Sequence, residues 1–156
     1  MAIVKFYRGH PNPPKTTRKA KLGVNAIITC KGKLLLEKRR DCDMWGMIGG
    51  GVKKKETEID AIVREVYEEI GLRVSKDKFQ RVAVYGEPGR IAAYQDGSIW
   101  RMVNVIYKLE LDEEPELIIS EESNELHFFS KEELKDLEII VTHSDTIEDW
   151  FLNTPL

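Results

Sequence analysis

The feature that most constrains this chain is a run of three glycines, Gly49 to Gly51, placed just before a strongly amphipathic segment. Glycine lacks the side chain that restricts other backbones, so we predict irregular backbone at this run. Such a loop lets the main chain approach a ligand closely and offer its carbonyl oxygens. Residues 56 to 70 then show a helical pattern, which ends at Gly71, a residue typical of helix C-caps.

The predicted helix has two chemically different faces when its residues are placed at about 100° intervals. The apolar stripe predicts the buried face: Ile59, Ile62, Val63, Val66 and Ile70. The glutamates gather on a flank and the opposite side, with Arg64 beside them: Glu58, Glu65, Glu68 and Glu69. Glutamates three or four residues apart repel each other by roughly 0.2–0.5 kcal/mol per pair. A divalent cation would reverse that repulsion. A solvated acidic face explains the glutamates alone, but their closeness to the glycine run favours a metal–phosphate site.

Length and composition exclude several classes of protein. The chain has 156 residues with 33% charged and 42% hydrophobic side chains, which predicts one globular domain over residues 1–156. Its net charge of -3 provides no basic field for a nucleic acid polymer or an anionic membrane. Cys30 and Cys42 lack zinc-ligand spacing and fit a reducing compartment. With no signal peptide or apolar span visible, we expect a cytoplasmic protein.

The predicted elements alternate between strands and helices. Residues 1–20 are expected to be an N-terminal arm or loop, because residues 9–20 are rich in turn formers. Strands are predicted at 22–30, 33–37, 80–85, 100–111 and 126–129, with a tight turn at Lys31-Gly32. A short helix capped by Ser130 and Glu133 follows, and a last helix begins at Ser144 or Asp145 and ends at Leu152. This order predicts a mixed sheet with helices packed on it.

The segment from Gly50 to Leu72 resembles the signature of the Nudix hydrolase family. That signature reads Gly, five residues, Glu, seven residues, Arg-Glu-aliphatic, one residue, Glu-Glu, one residue, Gly-aliphatic. The chain supplies every position without a gap: Gly50, Glu56, Arg64-Glu65-Val66, Glu68-Glu69 and Gly71-Leu72. The similarity extends over roughly residues 20 to 152. Ile48 and Lys55 depart from the usual Pro and Gly of the loop and leave the acidic residues intact.

The resemblance implies an α+β fold, an α/β/α sandwich around a mixed sheet, and hydrolysis of a diphosphate by water. It implies Mg²⁺ or Mn²⁺ as cofactor, held by the Gly49 carbonyl and three glutamates: Glu65, Glu68 and Glu69. The expected catalytic residues are Glu65, Glu68 and Arg64, and the sequence leaves open which glutamate orients or deprotonates the water. Arg64 is expected to pair with Glu56 or Glu68, which makes Glu56 structural. A later-loop carboxylate is expected to join the metal site, with Glu122 as the candidate and Glu121 and Glu125 as rivals.

The substrate side of the site is less constrained by the sequence. Arg40 is a candidate phosphate contact, and Tyr85 and Trp100 are candidates for stacking on a base. Tyr94 and Phe128 are further aromatics of this kind. The resemblance implies a small nucleotide-type substrate, and it leaves open ADP-ribose-type sugars, oxidised deoxynucleoside triphosphates and dinucleoside polyphosphates. A homodimer is one arrangement that the resemblance implies.

Two other functions are compatible with the same pattern. One is a ligand-sensing module that keeps the fold without hydrolysis. Such modules usually lose signature glutamates, and this chain retains all of them. The other is a hydrolase of a non-nucleotide diphosphate, such as an inositol pyrophosphate or an isoprenoid diphosphate. The basic run Lys53 to Lys55 keeps a highly phosphorylated ligand open, while the net acidity argues against it.

Overall fold

A computed structural model describes residues 4–154 as one mixed sheet with helices on both sides. The longer helix has 13 residues, and no helix in this described range has the length and apolar character needed to cross a bilayer. Short 3₁₀ turns occur at Lys76–Lys78 and Glu133–Asp136, and a π-helical turn at Glu148–Leu152. In chain order the main elements are β1 (Val4–Tyr7), β2 (Lys21–Cys30), β3 (Lys33–Arg39), β4 (Trp45–Gly46), β5 (Ile48–Gly51), α1 (Glu58–Ile70), β6 (Gln80–Tyr85), β7 (Ile91–Tyr94), β8 (Ile99–Leu111), β9 (Ser123–Phe129) and α2 (Val141–Ile147).

Two long parallel strands, β2 and β8, form the centre of the sheet, in register from Lys21 opposite Met102 to Cys30 opposite Leu111. The other strand pairs are antiparallel, and the main order is β1-β7-β8-β2-β3-β4. Strands β5, β6 and β9 pair with β2, β8 and β3, respectively. The start of β2 therefore pairs with β5 and its end with β3, which leaves an opening where these strands separate.

The alternation of side chains along the central strands creates two cores. Val24 and Ala26 of β2 pack with Ile62 and Val66 of α1 on one face. Ile27, the residue after Ala26, packs on the other face with Ile147 of α2. The predicted α/β/α sandwich around a mixed sheet is therefore confirmed.

Local sequence explains the limits of α1. The Thr57 side-chain oxygen accepts a hydrogen bond from the Asp60 backbone N–H at 3.2 Å, which satisfies one of the free donors of the first turn. At the other end Gly71 adopts the left-handed conformation with φ of 74°, as predicted from its C-cap position. Ile62 and Ile70 are fully buried, and each such side chain contributes about 1.5–3 kcal/mol through the hydrophobic effect.

The structure corrects two predictions near the start of the chain. The glycine run is not irregular: Gly49, Gly50 and Gly51 pair with Asn25, Val24 and Gly23 as part of β5. The predicted N-terminal arm includes a strand, since β1 pairs with β7 from Val4 opposite Tyr94 to Tyr7 opposite Ile91. β1 and its partner β7 have only four residues each, which is too short for a clear alternation in the sequence.

The carboxyl-terminal region also differs from prediction in detail. Ser130 and Glu133 exchange the expected pair of capping bonds, at 2.9 and 3.2 Å, but the segment that follows is a 3₁₀ turn rather than an α-helix. The last helix begins at Val141, three residues before the predicted Ser144. The earlier start places Thr142 and His143 on the helix, beside the site described next.

Candidate active site

A cavity of about 390 Å³ opens where β5 meets α1 and the end of β3. One side of it carries five glutamates, named here the acidic wall: Glu37, Glu65, Glu68, Glu69 and Glu122. The backbone of Gly49, Gly50 and Gly51 forms the adjoining surface. The predicted metal ligands Gly49, Glu65, Glu68, Glu69 and Glu122 thus all line one cavity.

The glycines are required for close approach rather than for turning. A Cβ atom on Gly50 would lie 2.5 Å from the carboxylate of Glu65. On Gly49 it would lie 2.0 Å from the backbone oxygen of Val24. Both distances are well inside van der Waals contact, so only glycine lets β5 pack against β2 on one side and against the glutamates on the other.

Arg64 connects the helix to the segment before it. Its Nε and Nη2 atoms donate to the two carboxylate oxygens of Glu56 at 2.7 and 2.9 Å. Nη1 donates to Glu65 at 2.7 Å and to Glu68 at 3.2 Å, and Nη2 also reaches the Gly51 carbonyl at 3.0 Å. Arg64 therefore contacts both glutamates that the sequence offered as its partners, and it fixes the orientation of two members of the acidic wall.

The contacts of Glu56 explain its charge state. The hydrogen bond from Arg64 and the bond from the backbone N–H of Lys53 lower the pKa of Glu56 to about 2. The same pairing raises the pKa of Arg64. Glu56 does not line the cavity within the described part of the chain, and its bonds to Lys53 and Arg64 hold the loop on the helix.

Two buried carboxyl groups face each other at the inner end of the acidic wall. Glu37 and Glu69 are only 5% and 4% exposed. Burial raises the pKa of both, and for Glu69 the neighbouring Glu37 and Glu122 raise it further. Ser123 donates to Glu37 at 2.6 Å and Ser120 to Glu69 at 3.2 Å. Carboxyl groups packed in this way need a shared proton or a cation between them.

Glu37 is a member of the wall that the sequence analysis missed. It follows three leucines, Leu34 to Leu36, in strand β3. A glutamate that continues a buried apolar run is the signal that indicates such a residue, because buried carboxylates occur rarely without a partner. Its side chain shares the α1 face of the sheet with Leu35.

The donor set fits a hard divalent cation. Carboxylate and carbonyl oxygens are the ligands that Mg²⁺ and Mn²⁺ prefer, and the positive charge of Arg39 offsets the repulsion between Glu37 and Glu69 only in part. Among the described residues, however, no group of three His, Cys, Asp or Glu side chains is already arranged as a metal site. Arg64 holds one carboxylate oxygen each of Glu65 and Glu68, and the second oxygen of each carboxylate does not bond to Arg64.

Arg40, Tyr85, Trp100 and Phe128 lie outside the cavity lining that the described residues form, whereas Tyr94, another aromatic candidate, is part of that lining. Arg40 is exposed, and its backbone N–H donates to the Glu122 carbonyl at 2.9 Å. Tyr85 accepts from Trp150 at 3.0 Å and donates to Asp149 at 2.6 Å. The ring centroid of Trp100 lies 5.8 Å from the Nζ atom of Lys21. Substrate binding by these three residues stays a prediction, and the rival carboxylates Glu121 and Glu125 are also outside the lining.

The wall opposite the glutamates is aromatic and cationic. The Nζ atom of Lys21 lies 5.1 Å from the ring centroid of Tyr94 and 3.4 Å from its hydroxyl. The guanidinium of Arg39 lies 5.3 Å from the ring centroid of Phe6. All four side chains line the cavity. The cavity therefore joins an acidic side suited to a cation with a side suited to anionic and planar groups.

Comparison with solved structures supports the fold. A MutT/nudix family protein from Enterococcus faecalis is 25% identical, with a TM-score of 0.60, over 76% of this chain and 46% of its own. A bifunctional NMN adenylyltransferase/ADP ribose pyrophosphatase from Francisella tularensis is 18% identical, with a TM-score of 0.71. This match covers 92% of the present chain and 42% of the Francisella chain. The chain thus spans less than half of either protein. The E. coli dihydroneopterin triphosphate pyrophosphohydrolase is 19% identical, with a TM-score of 0.66. This match covers 88% of the present chain and 100% of the E. coli chain.

The sequence itself gives the family assignment. No curated protein matches it significantly. The NUDIX domain model, in contrast, matches residues 19–151. This range contains strand β5 with its three glycines, helix α1 and every residue of the acidic wall. The chain therefore belongs to the Nudix domain family.

Proposed function

We propose that this protein is a divalent-metal-dependent hydrolase that cleaves the pyrophosphate linkage of a nucleoside diphosphate derivative. The observation that carries the proposal is the acidic wall, in which five glutamates and a glycine strand line one cavity. Such a wall repels a phosphate unless a cation neutralises it, and a bound cation would then attract the diphosphate.

The roles of the residues follow from their positions. Glu65, Glu68, Glu69 and Glu122, with the Gly49 carbonyl, are the proposed ligands of Mg²⁺ or Mn²⁺. When bound, such an ion polarises phosphoryl oxygens and lowers the pKa of water. One glutamate of the same set would orient or deprotonate the attacking water. Arg64 is a positioning residue, because its bonds to Glu65 and Glu68 restrain their orientation.

The opposite wall would hold the rest of the substrate. Lys21 and Arg39 bring positive charge to the cavity, where they can offset the charge of the phosphates. Arg39 is also bound to Asp41, with its Nε 3.0 Å from a carboxylate oxygen, which fixes its direction. Among the described residues, the Lys21 ammonium donates to the Tyr94 hydroxyl rather than to a carboxylate, so its charge is available for a phosphate.

The substrate class is proposed from the site together with the named relatives. The Francisella protein is an ADP ribose pyrophosphatase in one of its activities and the E. coli protein acts on dihydroneopterin triphosphate. Both of these compounds join a heterocycle to linked phosphates. We therefore propose a heterocycle-bearing diphosphate as the substrate of this protein, and nucleoside diphosphate derivatives as the first class to test.

The test is a direct chromatographic measurement of the hydrolysis products, with Mg²⁺ or Mn²⁺ added. The panel holds ADP-ribose, oxidised deoxynucleoside triphosphates and dinucleoside polyphosphates, together with an inositol pyrophosphate and an isoprenoid diphosphate. We expect turnover of one nucleotide class, complete loss with a chelator, and recovery when the metal is restored. Hydrolysis that resists the chelator contradicts the metal-dependent mechanism. Binding without hydrolysis in folded, metal-loaded protein supports the ligand-sensing module instead.

Three expectations about the cellular context belong to the same proposal. The protein is proposed to act in the cytoplasm on a small-molecule substrate, without a nucleic acid polymer or a membrane as partner. A homodimer is proposed on the basis of the family resemblance. Light scattering during size-exclusion chromatography at micromolar concentration tests the dimer directly, since a monomer has a mass of 18.0 kDa.

A further inference from the structure

A second cavity, of about 340 Å³, lies toward the opposite end of the two central strands from the active site. Thr29 of β2 and Lys108 of β8 line it, whereas Asn25 and Asn104 of the same strands line the active-site cavity. Asn25 and Thr29 are four residues apart, which corresponds to about 13 Å along a strand. Ile27 lies between them and is fully buried, so apolar core separates the two cavities.

The cavity lies on the face of the sheet that packs against α2. Lys108 follows Ile106 by two residues in β8, and alternate residues of a strand share a face. Ile106 packs with Phe151 in the core on the α2 side, and Trp150 and Phe151 of the turn after α2 line the cavity. A lysine therefore continues a buried apolar row of the central strand, at the point where the carboxyl-terminal turn covers it.

Three lysines from separate parts of the chain line this cavity, which is named here the lysine pocket: Lys31, Lys108 and Lys131. They come from the turn between β2 and β3, from β8 and from the segment after β9. Among the described lining residues the single carboxylate is Glu110, so three lysines and one glutamate give a formal charge of +2. The whole chain carries -3. A cleft of one sign in a protein of the other sign concentrates counter-ions, here anions.

Existing contacts hold two of these lysines in place and leave them able to bind a ligand. The Nζ atom of Lys31 lies 3.0 Å from Glu113, but these side chains are 66% and 82% exposed, so the pair is weak. Lys131 donates to the Thr154 carbonyl, and its Nζ atom lies 5.7 Å from the ring centroid of Phe151. Because an ammonium group has three donors, both lysines keep hydrogens for a further acceptor.

The aromatic part of the lysine pocket is held rigidly. Phe151 is 4% exposed and packs in the core. The indole Nε1 of Trp150 donates to the Tyr85 hydroxyl at 3.0 Å, and that hydroxyl donates to Asp149 at 2.6 Å. These two bonds fix the orientation of the half-buried indole. A ring held in this way can contact a planar ligand group without losing further side-chain freedom.

This combination matches a nucleoside phosphate better than a cation, an apolar molecule or a simple phosphate. The net positive charge disfavours a cation, and an apolar molecule would bury ammonium groups without a partner. Lysines bind phosphates as point charges, and aromatic side chains beside a basic groove bind bases by stacking. The volume of about 340 Å³ falls within the range of about 300–1,000 Å³ that is usual for small-molecule sites.

We propose that the lysine pocket is a second ligand site, which binds a nucleoside phosphate with its phosphates on Lys31, Lys108 and Lys131 and its base against Trp150. The site is separate from the proposed hydrolytic site and uses none of its residues. It needs no divalent cation, because its lysines supply the positive charge that the acidic wall lacks. The inference therefore stands or falls independently of the proposed function.

The test measures binding of ADP to the metal-free full chain, in which the acidic wall repels phosphates. The chain contains three tryptophans, so nuclear magnetic resonance of ¹⁵N-labelled protein gives three indole N–H signals, and Trp150→Phe assigns one of them. We expect ADP to shift the Trp150 signal along a saturable curve. Inorganic pyrophosphate, which has the phosphates without the base, should bind about tenfold more weakly.

Lysine variants show whether the shift reports on this pocket. Lys108→Gln and Lys131→Gln should each weaken ADP binding by about tenfold, the loss expected for one charge-assisted hydrogen bond. Lys135→Gln is the matched control, because Lys135 is an exposed lysine that pairs with Glu132 outside the lining. Lys21→Gln changes the active-site cavity and should leave the Trp150 response intact.

The two lysine variants keep the test decisive, since Lys131→Gln provides the result if Lys108→Gln does not fold. A Trp150 signal that stays unchanged up to millimolar ADP overturns the proposal. Equal affinity for ADP and pyrophosphate contradicts the assignment to a nucleoside phosphate. Full ADP affinity in both folded lysine variants, or loss of the Trp150 response in Lys21→Gln, would place ADP elsewhere and also overturns it.

Discussion

The guanidinium of Arg64 contacts both carboxylate oxygens of Glu56, with Nε 2.7 Å from one and Nη2 2.9 Å from the other. The remaining nitrogen of the same group reaches Glu65 and Glu68. One arginine therefore ties the loop before α1 to the acidic side of the helix. Because Glu56 is ionised and does not line the cavity, its contribution to the site passes through Arg64.

Replacing Glu56 by Gln should lower the free energy of unfolding while affecting the rate of turnover only slightly. The change removes a charge-assisted pair, which costs about 1.5–3 kcal/mol, while the amide oxygen can still accept from Lys53. Because the pKa of Glu56 is depressed to about 2, its stabilisation is complete above its unfolded pKa and is lost as pH falls toward 2. Urea unfolding at pH 7 and pH 3 should show a larger difference from wild type at pH 7. A normal unfolding midpoint combined with a turnover reduced by orders of magnitude would instead give Glu56 a direct role in the reaction.

Replacing Glu68 by Gln should lower turnover by a few orders of magnitude without unfolding the protein. Its side chain is 50% exposed, so the fold does not depend on its burial, whereas the proposed metal site depends on its charge. Glu58→Gln on the same helix is the matched control, because Glu58 bonds Arg81 at 3.1 Å rather than lining the cavity. Steady-state turnover at saturating Mg²⁺ compares the three proteins. Full activity in Glu68→Gln removes this residue from the metal site.

Alanine substitutions along the glycine strand should have graded effects. Gly51→Ala places its Cβ 3.8 Å from the nearest atom of Lys21 and should be tolerated. Gly50→Ala displaces the end of the Glu65 side chain, so it should fold but lose most of its activity. Gly49→Ala meets the Val24 backbone, which cannot move aside, and should destabilise the protein by several kcal/mol, about as much as severe core overpacking. Thermal melts and turnover measured together separate these three outcomes, and equal effects at all positions would contradict the packing described here.

The neutral state of His143 should make the protein sensitive to acid. Burial lowers the pKa of His143 to about 3, below the value of about 6.5 in an unfolded chain. Between these values only the unfolded state binds the proton, so stability falls as pH decreases, by about 1.4 kcal/mol per pH unit. His143→Asn retains an acceptor for the Met47 N–H without titrating and should show a shallower decline. Denaturant unfolding at pH 7, 6, 5 and 4 provides the comparison, and parallel curves for the two proteins would show that His143 is already protonated in the fold.

Most of what the sequence predicted correctly depends on short windows. The periodic apolar residues and Gly71 predicted α1, and the Thr57 cap that the structure adds lies within the same 15 consecutive positions. The spacing of the signature glutamates likewise lies within one helix, so their shared side was visible before any tertiary contact was known. The long strands β2 and β8 were predicted for the same reason, because their runs of apolar and β-branched residues are continuous.

The tertiary structure decided which distant residues complete the site. Glu37 and Glu69 lie 32 positions apart in the numbering yet face each other across buried space, and Asn25 and Asn104 line the same cavity only because β2 and β8 pair in parallel. The glycine run became a strand because β2 offers it backbone partners, which overrides the freedom of glycine itself. The sequence alone determined the helix and the chemistry of its acidic side. Strand pairing determined the cationic and aromatic wall opposite the glutamates, since long-range register is not encoded in any local pattern.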